Sequence, residues 1–171
     1  TVFEVTATGY KNNLVFTYEE AKFSLDVTEK TLYVKGKDTV TLKADTNLSD
    51  KITWSSSNKK VATVNSKGVV TAKAKGTAVI TAICGEYKAT CKVSVKTPTL
   101  KLAKTSASIK VGKKTTIKAT ATPTGTVKYT SSNKKIATVS SKGVVTGKKK
   151  GTAKITVTCN GVSKTFKVTV K

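Results

Sequence analysis

The chain has 171 residues, 37% hydrophobic and 6% aromatic, with 32 Lys+Arg against 9 Asp+Glu, a formal charge of +23 and no histidine. So lean an apolar supply suits small, thin cores rather than one large one, and no apolar run approaches the roughly 18 residues a membrane helix needs. Without histidine no Ser-His or Cys-His pair can be built, and the commonest general base and metal ligand is missing.

Taken in chain order, residues 1–23 stand apart from the rest. Val2 to Thr8 and Leu14 to Tyr18 read as two strands around a turn-rich loop, Gly9 to Asn13. This piece has no later counterpart, so it is expected to be the end of a preceding domain or else a cap on the next one. Tyr10, Tyr18 and Tyr33 cluster in this region, and the sequence does not say which way they point. The absence of Met, of a signal peptide and of an anchor leads us to expect a piece of a longer chain with further domains.

From there on the chain repeats itself. Ser56–Lys96 recurs without a gap as Ser131–Lys171, an offset of 75 residues. That period exceeds solenoid repeats and suits a small autonomous domain, which predicts a first domain at 24–96 and a second at 97–171. Within each copy, segments such as Thr77–Ile83 and Lys164–Val170 mix β-branched with polar residues between Gly, Asn and Ser punctuation, and no 3.6-residue stripe is sustained. The expected class is all-β.

Asn160-Gly161 tolerates positive φ at both central positions and predicts a tight hairpin, with Gly85-Glu86 at the equivalent place. A two-residue turn sets Cys84 beside Tyr87 and Cys91 opposite Ile80. At strand rise the two thiols are then roughly 13 Å apart, beyond the about 7 Å that a disulfide spans. Only a wider loop would let them bridge. Phe166 occupies the place of Cys91, so Cys91 reads as a small buried apolar residue, and Cys159 matches Cys84 without a partner of its own. Lys96 to Leu100, holding Pro98, reads as a short, semi-rigid linker.

In each copy an aromatic residue (Trp54, Tyr129) precedes the run Ser56–Lys60 or Ser131–Lys135. Then follow Val61–Val64 or Ile136–Val139, Lys67–Thr71 or Lys142–Thr146, and Lys75–Ala78 or Lys150–Ala153. This order resembles the bacterial immunoglobulin-like domain, group 2, over both repeats, including Val111-Gly112. Val34-Lys35-Gly36 carries one extra residue, so the register there is open. The resemblance implies two tandem immunoglobulin-like β-sandwiches after a β-hairpin segment, with no catalytic residues. It also implies one of three settings: surface adhesins of the intimin and invasin kind, cell-wall enzymes that carry such domains as accessories, or phage virions. Immunoglobulin-like sandwiches bury an aromatic residue where Trp54 and Tyr129 stand, which favours core over a sugar platform.

Charge is the feature that invites a partner. Every base is Lys, and no acidic residue follows Glu86. The candidate polyanion-binding residues are Lys59, Lys60, Lys73 and Lys75 in the first copy and Lys134, Lys135, Lys142, Lys148, Lys149 and Lys150 in the second; Lys67 and the pair Lys92/Lys167 also recur in place. Such a field attracts polyanions such as teichoic acids, acidic glycans, lipid head groups or, without sequence preference, nucleic acid, and the expected partner is an anionic cell-wall or host-surface polysaccharide. Without the planar Arg fork and with few aromatics to stack on bases, sequence-specific nucleic-acid binding is not expected. The plainer reading is that these lysines solvate a secreted β-protein and guard its strand edges. Asp45, Asp50 and Glu86 read as isolated turn carboxylates rather than a calcium site, and no catalytic, cofactor or metal residue is assigned. The expected role is a non-enzymatic spacer, display arm or adhesin segment at the bacterial cell surface, or alternatively at a virion surface.

Overall fold

A computed structural model describes residues 3–4, 15–16, 19–34 and 38–171. β1 (Phe3–Glu4) and β2 (Val15–Phe16) pair antiparallel, with Phe3 opposite Phe16, as the N-terminal strand reading requires. The expected loop at 9–13, Tyr10, Tyr18 and the extra residue at Lys35-Gly36 lie outside the described residues.

The remaining strands come in two matching series. The first is β3 (Phe23–Leu25), β4 (Glu29–Tyr33), β5 (Thr39–Thr41), β6 (Ala44–Thr46), β7 (Thr53–Ser56), β8 (Ala62–Val64), β9 (Val69–Ala72), β10 (Gly76–Cys84) and β11 (Tyr87–Lys96). The second is β12 (Thr99–Leu102), β13 (Ser106–Ile109), β14 (Lys114–Thr116), β15 (Ala119–Thr122), β16 (Lys128–Ser131), β17 (Ala137–Val139), β18 (Val144–Gly147), β19 (Gly151–Cys159) and β20 (Val162–Val170). Each series makes a four-stranded sheet, β4-β11-β10-β7 or β13-β20-β19-β16. Facing it are a three-stranded sheet, β5-β9-β8 or β14-β18-β17, and a pair, β3-β6 or β12-β15. The amide of Leu42 donates to Gly68 O (3.0 Å) and that of Asp26 to Lys43 O (2.9 Å), so pair and triplet join into one layer at the break between β5 and β6. Ile117 and Ala103 make the matching bonds in the second series.

Period-two alternation explains the layers. Along β10 and β11 the inward residues are Ala78, Ile80, Ala82, Cys84, Cys91, Val93 and Val95, all buried, while their neighbours face solvent. β19 and β20 repeat the pattern with Ile155, Val157, Phe166 and Val168. The two cores, one around Leu32, Leu42 and Ile80 and the other around Leu100, Ile117 and Ile155, share no residue.

Both hairpins have two-residue turns. Asn160 (φ 49) and Gly161 (φ 70) both take positive φ, whereas in the first copy only Gly85 does (φ 56). These are the dihedral signatures of the two primed turn types. The register follows: Cys84 opposes Tyr87, Ile80 opposes Cys91 and Ile155 opposes Phe166. All three cysteines are free and buried.

Two expectations need correcting. Asp45 is not a turn carboxylate: it lies in β6, opposite Ser24, where its outward side chain reaches Lys22 at 2.6 Å. The linker is shorter than Lys96 to Leu100, because Thr99 opens β12 and Leu100 sits in the second core, leaving Thr97 and a buried Pro98 between strands. Strand pairing in the first sandwich begins at Phe23, opposite Thr46.

Candidate polyanion-binding surface

The runs Ser56–Lys60 and Ser131–Lys135 owe their composition to the backbone they stabilise. Ser56 Oγ donates to Ala62 O (2.7 Å), Ser57 Oγ accepts from the amide of Val79 (2.8 Å), and Asn58 Oδ1 accepts from the amide of Lys60 (3.1 Å). Ser131, Ser132 and Asn133 repeat all three bonds. With its Ser and Asn side chains committed to the chain itself, the turn leaves only its lysines free for solvent or a partner.

Those lysines are brought near a second group. The amide of Lys73 donates to Val61 O (2.8 Å), and that of Lys148 to Ile136 O (2.7 Å). Lys59 and Lys60 therefore neighbour Lys73 and Lys75, while Lys134 and Lys135 neighbour Lys148, Lys149 and Lys150. All of them are exposed. Lys67 and Lys142, also exposed, sit apart from these groups in the turn after β8 or β17.

Electrostatically the two domains differ. In the first, Lys92 lies 3.7 Å from Glu29 and Lys22 lies 2.6 Å from Asp45. In the second, Ser106 takes the register place of Glu29, and Lys154 takes that of Val79. Lys154 and Lys167 consequently face each other directly across β19 and β20, both exposed, with no acidic side chain anywhere in the domain. Opposed like charges destabilise a strand pair. The sequence reading missed this juxtaposition, although the change from Val79 to Lys154 between copies was visible in the repeat.

Trp54 and Tyr129 are half-buried on the inner side, opposite Ala82 and Val157, and pack against the cores. A Cβ at Gly68 or Gly143 would lie 2.8 Å from the Trp54 or Tyr129 ring, so each ring lies against a residue without a side chain. Burial, then the neighbouring Cys159, raises the Tyr129 phenol above its ordinary pKa. Trp54 also borders a hollow of about 240 Å³ with Lys59 and Thr63. Among the described residues no group of three or more His, Cys, Asp or Glu could hold a metal ion, and no helix is long and apolar enough to cross a membrane.

A search of curated proteins gives no match. Among solved structures, the S-layer protein rSbsC(31-844) is 24% identical with a TM-score of 0.43, over 94% of this chain and 30% of that one. The C-terminal 282-residue fragment of intimin, in complex with the intimin-binding domain of the translocated intimin receptor, is 20% identical with a TM-score of 0.43, over 90% and 65%. Drosophila OTK extracellular domains 3–5 are 14% identical with a TM-score of 0.38, over 89% and 61%. The chain thus spans under a third of the S-layer structure. The family model for the bacterial Ig-like domain (group 2) matches twice, over residues 23–93 and 96–170. These two matches run in tandem over both series of strands, and the chain belongs to the bacterial Ig-like domain family, group 2.

Proposed function

We propose that this chain is a non-enzymatic surface module, a spacer or display arm, whose second domain adheres to anionic cell-surface polymers. The observation that carries the reading is the uncompensated charge of that domain: exposed lysines on its loops and on its four-stranded sheet, and no acidic residue after Glu86. Lysine suits such a partner, since ammonium groups act as point charges on a repeating phosphate or carboxylate without demanding a fixed geometry.

The test is retention on immobilised teichoic acid or heparin at increasing salt. Neutralising several polymer charges releases counterions, so affinity should fall by more than about tenfold between 0.05 and 0.2 M salt. Replacing Lys148, Lys149 and Lys150 by Gln should weaken binding more than replacing Lys73 and Lys75, whose domain contains carboxylates. Equal and negligible retention of all three proteins near physiological salt would leave the charge as solvation alone.

A further inference from the structure

The second domain has an open seam between its layers. Between β13 and β14 runs a cleft of about 670 Å³, floored by Ala107, Ile109, Ile117 and Phe166 and rimmed by the ammonium-bearing chains of Lys104, Lys114 and Lys118. Three differences between the copies coincide with it. Matched by strand register, Lys104 stands where the first domain has Val27, Ala107 where it has Lys30, and Thr115 where it has Val40. Val27 and Val40 pack on the first core. Their replacements set a charge and a hydroxyl there instead, and Ala107 withdraws the long Lys30 stem.

Both walls of the cleft are unpaired strand edges. Among the described residues β13 bonds only to β20, and β14 only to β18. The amide of Lys167 donates to Thr105 O, that of Lys171 to Ile109 O, and that of Val111 to Lys171 O. By the alternation of a parallel ladder, the N–H and C=O groups of Ser106 and Ser108 point away from β20, toward the seam. Across it, the amide of Ile117 donates to Gly143 O and that of Gly147 to Lys113 O, so the backbone of Lys114 and Thr116 is likewise turned outward. Ser106, Ser108, Lys114 and Thr116 all line the cleft. Unpaired edges are normally blunted by shortness, Lys, Pro, a bulge or inward charge. β13, four residues long, carries no charge, Pro or bulge within it.

We infer that this seam is a strand-addition site for an extended acidic peptide segment of a partner protein. Such a segment would bond its backbone to the free groups of Ser106 and Ser108, set alternate apolar side chains over Ala107 and Ile109, and place alternate carboxylates against Lys104, Lys114 and Lys118. The lysine rim selects the occupant: it repels the edges of other copies of this all-cationic domain and admits an acidic strand. A fatty-acid anion would satisfy floor and rim but leave the backbone groups unused. The inference is independent of polymer adhesion, which requires the exposed lysine loops and no backbone pairing.

The test uses the full chain and an N-acetylated peptide of alternating Glu and Val, about 8 residues long, the length of an ordinary strand. Binding should shift the amide resonances of Ser106, Ser108, Lys114 and Thr116, and a Lys-Val peptide should not bind. Ala107→Leu, which fills the floor, and a peptide N-methylated at alternate residues should each bind at least about tenfold more weakly. The N-methylated peptide keeps the test decisive even if Ala107→Leu misfolds. Equal binding of the N-methylated peptide, or shifts spread over the loops at Lys134 and Lys148 instead of the seam, would overturn the proposal. So would dodecanoate perturbing the seam amides where the peptide does not.

Discussion

Gly68 and Gly143 hold the turn after β8 and β17 at φ 75 and 76, and a Cβ there would meet a backbone carbonyl as well as the aromatic ring. Left-handed backbone costs a residue with a Cβ about 1–2 kcal/mol. Gly112, at φ 79 with nothing within 4 Å, isolates that cost from the collision. Chemical denaturation should therefore show Gly112→Ala losing about 1–2 kcal/mol, and Gly143→Ala losing clearly more. Cys91 makes a second residue-scale prediction. Burial, then the nearby Asp26 carboxylate, raises its thiol above the ordinary pKa. On raising pH the unfolded chain loses this proton first, near about 8.5, so stability should fall as pH climbs past that value, and Cys91→Ala should flatten the decline. At this scale the sequence was legible where two copies could be compared: Phe166 in the place of Cys91 already marked a core position. Asp45 was misread because a lone acid between Ala44 and Thr46 looks like a turn, and only the pairing of β3 with β6 shows it to be a strand residue.

The strands were readable because alternation and the Asn160-Gly161 turn fix the register of β19 and β20, and one inward residue then fixes every other. The open seam was not readable. It depends on β13 and β14 joining different sheets, a crossover that no local pattern signals. The opposed pair Lys154 and Lys167 gives an element-scale prediction. Lys154→Val, which restores the residue of the first copy, should stabilise the second domain by about 0.2–1 kcal/mol at low salt. The gain should shrink as salt screens the pair. A denaturation midpoint unmoved at low ionic strength would mean that the two ammonium groups already avoid each other.

Two cores without a shared residue, joined through Thr97 and Pro98, imply two folding units. Residues 97–171 expressed alone should unfold in one cooperative transition, seen by circular dichroism, and a disordered spectrum would refute separate units. Because that fragment has no carboxylate side chain, added salt relieves repulsion without breaking any ion pair. Its melting temperature should rise more between 0.02 and about 0.5 M NaCl than that of residues 19–96, which hold the ion pairs Lys22–Asp45 and Lys92–Glu29. The repeat made this organisation legible from the sequence. The linker was drawn too long because Leu100 is an apolar residue near a proline, and nothing local shows that it enters a core.

In each domain the strand near the beginning, β4 or β13, lies parallel to the last, β11 or β20. Tension applied through the chain ends pulls such neighbours in opposite directions along their length, loading all the bonds between them at once in shear rather than peeling them one by one. A domain tethered at both ends would thus resist stretching through its second and last strands once the first, β3 or β12, has parted from its antiparallel partner.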